Sequence, residues 1–463
     1  MITKSIRCLT ALLCAGVLGA GPALAQLRVG QWNITNYSSG RVADFQTALY
    51  GEYQGRKFAP DVLAVQELTS SSGVTNYLSI LNTAPGSPGD WAAAPWIVPG
   101  NDTQSGFFYR TSKVQFLGAT RFFKATSNTA FPPRDCIRYD VRPIGYSASA
   151  ATLAIYSNHM KSGTDSASLA RRLLEAQYIR TNAESLPADW QFVICGDFNV
   201  QASTQDAYVE MTVSKANNAG RAFDPIMRPG TWENSSSFKT IHTQEPSTQM
   251  DSRHDQILLC GQLRDGAGFD YIGSLTIPYS STTWNDPNHS YRCWGNDGTT
   301  FDVPLNPATN TMVGPTIAQA LVNSVNGNGH LPVMLDLKLP ALMTVSTNFI
   351  DFGIVDQGAS VSAPITVTNS GNTALWTAAG LADLKYSFTP STGISAPVGT
   401  QVATPGNGTV SNITLNTSTP GIRSGTLTIT GDTTETPTRV IQWQAIVVEK
   451  FGWTPPKKRR FQD

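Results

Sequence analysis

Apolar and polar residues follow a strand-like pattern through much of residues 26–340. Residues 27–32 alternate, as in a half-buried strand, whereas residues 61–66 are almost continuously apolar, as in a buried one. Similar short runs occur at 152–157, 191–195, 256–260 and 331–337. The pattern predicts a sheet-rich domain.

A helix is predicted between two of these strands. One helical face is apolar at positions i, i+3, i+4 and i+8, namely Ala170, Leu173, Leu174 and Tyr178. The charged residues of the segment lie off that face, namely Arg171, Arg172, Glu175 and Arg180. Helix and strand signals together indicate a mixed α and β domain over residues 26–340.

The pattern changes after Pro340. Residues 341–448 have few charges, many Thr, Ser, Gly and Val, and short alternating runs such as 365–368 and 425–430. Turn-forming residues separate the runs, for example at 369–372 and 405–408. This texture predicts an antiparallel β-sandwich of about one hundred residues, and the segment resembles the immunoglobulin-like sandwiches of exported bacterial proteins.

Both ends of the chain lie outside these two domains. Residues 1–25 carry Lys4 and Arg7, then an apolar run, then Ala23-Leu24-Ala25, which is the pattern of a cleaved secretory signal. We therefore expect a secreted or periplasmic protein without a transmembrane segment. Residues 449–463 include four consecutive basic residues, and we interpret them as a solvated basic tail.

Composition excludes several classes of protein. The 463 residues carry 33 Lys plus Arg and 33 Asp plus Glu, so the formal net charge is zero. Charged residues make up 14%, against about 25% in typical globular domains. With 40% hydrophobic residues the chain is neither an intrinsically disordered protein nor a basic nucleic-acid coat.

Four cysteines remain after the signal. Cys195 and Cys260 lie in apolar runs, where a free buried thiol is expected. Cys136 and Cys293 lie in polar surroundings, and a Cys136–Cys293 disulfide is the preferred pairing among the three full pairings that four cysteines allow. No pair has the spacing of a structural zinc site.

Polar residues collect where the predicted strands begin or end. The strings are Trp32-Asn33, Gln66-Glu67, Asn158-His159-Met160-Lys161, Gly196-Asp197-Phe198-Asn199, Asp251-Ser252-Arg253-His254-Asp255 and Gly329-His330. Each alone has an ordinary structural explanation, such as an Asx turn for the Asp197 string. In this order they resemble the endonuclease/exonuclease/phosphatase superfamily over residues 27–339.

The resemblance implies a fold, a cofactor and a role for each residue. The fold is α+β, a four-layer α/β/β/α sandwich followed here by the all-β sandwich. Glu67 is the implied metal ligand, with Asn33 beside it as a ligand or orienting group. The implied ion is Mg²⁺, or Mn²⁺ or Ca²⁺, since hard cations prefer oxygen ligands.

The remaining implied roles concern the phosphate and the attacking water. Asp197 aligns or deprotonates the water, and Asn199 donates to the phosphate. His159 and His330 bind phosphate oxygens or move protons, and Asp255 orients His330. Arg142 is a weaker candidate for a phosphate contact.

This chain departs from the superfamily pattern at Gly329, where the usual residue is Asp. If the site is impaired by this loss, Gly329→Asp should raise turnover, which is the outcome we expect. If Asn328 compensates and Gly329 supplies a tight turn, the same change should leave activity flat or lower it.

Three functions are consistent with these residues. We expect a secreted, divalent-metal-dependent phosphoesterase, a nuclease that cleaves phosphodiesters, acting as a monomer on nucleic acid. The alternatives are a phospholipid or sugar-phosphate phosphoesterase, and a degenerate, non-catalytic scaffold whose sandwich domain binds a surface. The zero net charge argues against tight binding of nucleic acid but not against turnover.

Overall fold

A computed structural model describes residues 26–266, 268–325, 327 and 329–450. The predicted signal segment lies outside these residues, as do Asn328 and most of the basic tail. None of the helices in the described ranges is long and apolar enough to cross a membrane.

Residues 26–340 contain two sheets and five helices within the described ranges. The strands are β1 Leu27–Tyr37, β2 Val62–Leu68, β3 Trp91–Ala93, β4 Gln104–Arg110, β5 Val114–Phe123, β6 Cys136–Pro143, β7 Leu153–His159, β8 Gln191–Asp197, β9 Ala222–Phe223, β10 Asp255–Cys260, β11 Asp270–Tyr271, β12 Arg292–Cys293 and β13 Val333–Lys338. The helices are α1 Val42–Tyr50, α2 Ser71–Thr83, α3 Ser166–Glu184, α4 Asp206–Thr212 and α5 Gly314–Ser324.

The first sheet has the order β11-β13-β1-β2-β4-β3, with β12 also paired to β13, and the second has the order β5-β6-β7-β8-β10-β9. Strand β2 is buried on both faces, which explains why its sequence is a continuous apolar run. Val62 and Ala64 belong to the core shared with the second sheet, whereas Leu63 and Val65 pack in a separate core with residues of α1, α2 and α5. Side chains alternate across the sheet, so both sets are apolar.

Helix α3 forms where it is predicted, but its buried face is a different one. Ala170 is exposed, whereas Arg172, Glu175 and Arg180 are buried. Buried arginines here bind backbone carbonyls of neighbouring segments. Arg172 donates to the carbonyl of Lys161, and Arg180 to those of Glu210, Val213 and Asn217. The same face carries Ala176, Ile179 and Ala183, which pack in the core, so small apolar residues and hydrogen bonds together orient α3.

Residues 341–448 form two further sheets. The strands are β14 Met343–Val345, β15 Phe349–Asp356, β16 Val361–Asn369, β17 Leu384–Pro390, β18 Ile394–Ser395, β19 Gln401–Ala403, β20 Gly408–Leu415, β21 Gly421–Gly431 and β22 Thr438–Val448, with a one-turn helix α6 at Thr373–Trp376. The sheets have the orders β14-β16-β20-β18 and β15-β22-β21-β17-β19. Ile365 and Ile413 of one share a core with Ile429 and Trp443 of the other. One pairing departs from the antiparallel expectation, since β15 runs parallel to β22.

The segment that follows β16 packs against the first two sheets. Trp376 and Leu381 are buried in the core that those sheets share. Tyr146 donates its hydroxyl to the carbonyl of Pro340 at 2.5 Å, and the Glu435 carboxylate accepts the backbone N–H groups of residues 147 and 148 at 2.6 and 2.7 Å. The C-terminal sheets are therefore attached by apolar and polar contacts.

The predicted Cys136–Cys293 disulfide is wrong. All four described cysteines are free and buried, as expected for Cys195 and Cys260. Cys136 begins β6 in the second sheet, whereas Cys293 ends β12 on the first. The Cys293 thiol instead donates to the carbonyl of Ile241 at 3.4 Å.

Candidate active site

Strand register brings three of the predicted residues side by side. His159 ends β7, Asp197 ends the neighbouring parallel strand β8, and Asp255 begins the antiparallel strand β10. Asp197 is the register partner of both others. Asn33 of β1 and Glu67 of β2 face this row from the first sheet. The site therefore lies at one edge of the space between the two sheets.

The Asp197 carboxylate is the centre of the cluster. Its Oδ2 lies 3.1 Å from Asn33 Nδ2, 3.3 Å from His159 Nε2 and 3.6 Å from His330 Nε2. Its Oδ1 accepts the backbone N–H of Asn199 at 3.0 Å. The carboxylate is 2% exposed, so these neighbours rather than water fix its position.

Asn199 turns the chain directly after β8. Its backbone is left-handed, with φ of 51°, and its side-chain Nδ2 donates to the carbonyl of Met160 at 3.1 Å. With the bond from its N–H to Asp197, this is the geometry of an Asx turn. Asn199 therefore orients Asp197.

Glu67 lies beside Asn33 in a strained stretch of β2. Its φ is 66°, and the pairing of β2 with both neighbouring strands shifts register around it. Oε1 accepts from Asn33 Nδ2 at 2.9 Å, and Oε2 accepts from the backbone N–H of Asn36 at 2.8 Å. Non-glycine residues with such φ values are concentrated at functional sites.

Glu67 offers a partly exposed carboxylate, the kind of oxygen ligand that a hydrated divalent cation uses. Among the described residues no group of three or more His, Cys, Asp and Glu side chains is arranged to hold a metal. Mg²⁺ binds through one or two carboxylates and keeps several waters. The Glu67 side chain is 15% exposed, so its carboxylate is open to a cation that keeps its waters. Asn33 has its Nδ2 toward the carboxylates and its Oδ1 bonded to the Thr35 N–H, so it acts here as the orienting group.

His330 and Asp255 form a buried ion pair. His330 Nδ1 lies 2.6 Å from Asp255 Oδ2, which also accepts the hydroxyl of Thr243 at 2.8 Å. Burial alone would lower the pKa of His330, but the charges of Asp255 and Asp197 outweigh it and raise the pKa to about 10. His330 is therefore an imidazolium at neutral pH, with its Nε2 toward the cluster.

His159 has the opposite character. Burial, assisted by the positive charge of Arg134, lowers the pKa of His159 well below its usual value. The Arg134 guanidinium lies 3.5 Å from the carbonyl of His159 and pairs with Asp102 at 2.9 Å. The two histidines, which the sequence treats alike, therefore carry different charges.

Sequence reasoning missed several residues near the cluster. His254 is buried, and neither ring nitrogen has a hydrogen-bond partner among the described residues. Burial lowers its pKa to about 4. Its position next to Asp255 in a polar string was the available signal. Arg134 and Thr243 gave no signal, because they contact His159 and Asp255 only through the packing of distant segments.

Arg142 does not join the cluster. It lies near the end of β6, and its guanidinium donates to Thr152 Oγ1 at 3.1 Å. Strand β6 is antiparallel to β7, so its beginning at Cys136 lies at the His159 end. Its last residues are at the opposite edge of the sheet, and a phosphate contact by Arg142 in this site is not supported.

Gly329 has no room for a side chain. A Cβ there would overlap the Val325 side chain and approach Thr35 Oγ1 to 3.0 Å. Its φ lies outside the left-handed region, so space rather than a tight turn requires glycine. The expectation that Gly329→Asp raises turnover therefore conflicts with the packing. The compensating residue proposed for it, Asn328, lies outside the described residues.

Comparisons with known proteins give a family and several structural neighbours. The model of the Endonuclease/Exonuclease/phosphatase family matches residues 32–281, more than half of the chain. No curated protein sequence matches.

Three solved structures illustrate the structural likeness. The human Nocturnin catalytic domain with bound sulfate anion is 13% identical, with a TM-score of 0.39, and the match covers 68% of this chain and 95% of that one. D. rerio TDP2 complexed with single strand DNA product is 16% identical, with a TM-score of 0.36 and coverages of 67% and 98%. An endonuclease/exonuclease/phosphatase family protein from Bacteroides thetaiotaomicron is 17% identical, with a TM-score of 0.38 and coverages of 67% and 94%.

Proposed function

Because the chain belongs to the endonuclease/exonuclease/phosphatase family, whose members usually hydrolyse phosphoester bonds, we propose that it is a divalent-metal-dependent phosphodiesterase that cleaves nucleic acid. One observation carries the proposal. The Asp197 carboxylate lies within 3.6 Å of a neutral histidine, a cationic histidine and the asparagine that also contacts Glu67.

Asp197 is the general base of this proposal. A buried carboxylate fixed on both oxygens has one orientation in which to accept a proton from an attacking water. Asn33 and the N–H of Asn199 hold that orientation.

The two histidines act on the phosphate. The His330 imidazolium stabilises the negative charge that develops on the phosphoryl oxygens, and Asp255 keeps its proton in place. Neutral His159 orients the phosphate or Asp197 by hydrogen bonding. Arg134, which borders His159, replaces Arg142 as the proposed arginine of the site.

Glu67 would hold the metal, and Asn33 would orient Glu67. When bound, Mg²⁺ neutralises phosphoryl oxygens and positions water for in-line attack. Enzymes of this family usually use divalent metal ions.

We also propose the finer features that the sequence suggests. These are a four-layer sandwich over residues 26–340, an immunoglobulin-like sandwich over 341–448, and export to the periplasm or medium after removal of residues 1–25. The distribution of strands supports the division, since the first two sheets end at Lys338 and the other two begin at Met343.

Hydrolysis of a substrate panel tests the proposal. The purified chain is incubated with DNA, RNA, sphingomyelin and a sugar phosphate, with Mg²⁺ or with EDTA. We expect Mg²⁺-dependent cleavage of DNA or RNA. Cleavage of only the lipid or sugar phosphate favours the alternative phosphoesterases, and no cleavage favours the scaffold.

Two variants connect the activity with the cluster. Asp197→Asn removes the proposed base while nearly keeping its shape, and we expect it to abolish cleavage. Asp189→Asn is the matched control, because Asp189 is exposed near the other end of β8. Equal loss in both variants, or in neither, contradicts the assignment of Asp197.

A further inference from the structure

A cavity of about 810 Å³ lies at the end of the first sheet opposite the candidate active site. Arg28, near the start of β1, lines it, and Asn33 is five residues further along the strand, or roughly 17 Å at the usual rise per residue. Leu27 and Val29 point into the core between the sheets, so Arg28 lies on the outer face. No residue assigned to the active site lines this cavity.

Positively charged side chains outnumber negatively charged ones in the lining. Six cationic residues line the cavity, namely Arg28, Arg56, Lys57, Arg110, Lys113 and Arg292. The carboxylates are fewer. Asp336 pairs with Arg28 at 2.7 Å, and Asp61 lies 3.4 Å from Arg110. Two more acids outside the lining, Asp90 and Glu52, pair with Arg110 and Lys57.

Three of the cations bind carbonyls instead of carboxylates. Arg56 donates to Met312 at 3.0 Å, Lys113 to Leu375 at 2.7 Å and Arg292 to His289 at 2.6 Å. Within the described ranges, none of the three forms an ion pair. Lys113 is nonetheless attracted by Asp61 and Asp90, so Arg56 and Arg292 carry the excess positive charge of the cavity, in a chain whose formal net charge is zero.

Aromatic and unsatisfied polar groups complete the lining. The Arg56 guanidinium lies 5.0 Å from the centre of the Trp284 ring. Trp294 is 2% exposed, and its Nε1 has no hydrogen-bond partner among the described residues. The same is true of Oε1 of the buried Gln26. Both atoms have almost no accessible surface, so neither can contact a ligand, and the partly exposed Trp284 ring is the aromatic surface that the lining offers.

We propose that this cavity binds an organic phosphate with a planar ring, of the size of a nucleoside monophosphate. Guanidinium and ammonium groups match the oxygens of a phosphate, and the partly exposed Trp284 ring can stack on a planar base. The volume lies within the range of about 300–1,000 Å³ that is usual for small-molecule sites. The site is separate from the proposed catalytic cluster and does not depend on its activity.

Binding of AMP to the full chain, measured by calorimetry in EDTA, tests the proposal. Adenosine carries the ring alone and inorganic phosphate the anion alone. We expect AMP to bind at least ~10-fold more tightly than either, a difference of about 1.4 kcal/mol. If adenosine binds as well as AMP, or if AMP does not bind at millimolar concentration, the proposal is wrong.

Two lysines with equal exposure provide matched variants. Lys57 lines the cavity and Lys215 does not, yet each side chain is 42% exposed and pairs with a glutamate. We expect Lys57→Glu to weaken AMP binding ~10-fold through charge reversal and Lys215→Glu to leave it unchanged. Equal effects of both variants contradict a specific site.

A third variant separates the cavity from the active site. His159→Ala alters the catalytic cluster and should leave AMP binding in EDTA unchanged, while Trp284→Ala should weaken it by removing the stacking surface. If His159→Ala abolishes binding and Lys57→Glu does not, AMP occupies the active site and the proposed cavity site is wrong. Thermal unfolding of each variant verifies that it is folded.

Discussion

Asp255→Asn should convert His330 from a cation to a neutral imidazole at the pH of the assay. Asp255 makes the largest contribution to raising the pKa of His330 to about 10, whereas burial lowers it. The difference from the usual 6.5 corresponds to a preference for the imidazolium on the order of 5 kcal/mol. Without the Asp255 charge, burial should bring the pKa to neutrality or below, even though Asp197 remains 3.6 Å away.

The rate of hydrolysis as a function of pH measures this change. In the wild type the His330 proton is lost only as pH rises through about 10, so activity that needs the cation should persist to that pH. In Asp255→Asn the alkaline limb should move to acidic pH. The rate at pH 8 should then fall by about 100-fold, as when one charge-stabilising group is removed. Lowering the pH toward 5 should restore part of the lost rate.

Thr243→Val is the control for this experiment. It removes the hydroxyl that donates to Asp255 at 2.8 Å but leaves the carboxylate charge in place. We expect a pH profile close to that of the wild type. If Asp255→Asn keeps the wild-type alkaline limb, or if Thr243→Val moves it equally, the ion pair does not set the protonation of His330 and the reasoning is refuted.

Three further predictions concern stability. Burial raises the pKa of Glu175 to about 8, so its contribution to stability is full below pH 4.5 and is lost as pH rises through 8. The free energy of unfolding of Glu175→Gln, measured in urea, should match that of the wild type at pH 5 and exceed it at pH 9 by on the order of 5 kcal/mol. An equal pH dependence of the two proteins would contradict this. Gly329→Asp should lower both the melting temperature and turnover because of the Val325 contact, and a faster enzyme would contradict the packing argument. A chain ending at Pro340 should retain hydrolysis of small soluble substrates but melt at a lower temperature, since it loses the buried Trp376; an unchanged melting temperature would show that the contact contributes little.

Local patterns in the sequence predict the strands, because half-buried and fully buried strands each have a characteristic order of apolar and polar residues. The start of β1 and the apolar run of β2 are both strands in the structure, but β1 is buried over residues 29–35 and is not the half-buried strand that its alternation predicts. Polar residues at strand ends are also visible as a local pattern, and they indicate the candidate site. The parallel register of β7 and β8 places His159 beside Asp197.

The predictions that fail concern features that are set by long-range packing. Arg142 lies away from the cluster because β6 runs antiparallel to β7, and the direction of a strand is not encoded in a local pattern. The predicted buried face of α3 is wrong because small apolar residues and buried arginines, rather than the larger Leu173 and Leu174, face the core and the neighbouring segments. The difference in charge between His159 and His330 depends on Asp255, which lies 75 residues before His330 in the sequence.

Replacement of Glu67 tests metal-dependent phosphoester hydrolysis most directly. Glu67→Gln keeps the shape of the side chain and removes the charge that would hold Mg²⁺, whereas Glu52→Gln changes a glutamate that is 57% exposed and lies outside the cluster. Hydrolysis of nucleic acid is measured over a Mg²⁺ titration, with thermal unfolding of each protein alongside. We predict that Glu67→Gln loses at least about 100-fold in rate at saturating Mg²⁺ while its melting temperature hardly changes, and that Glu52→Gln behaves as wild type. Equal rates for wild type and Glu67→Gln at saturating Mg²⁺ would contradict the account.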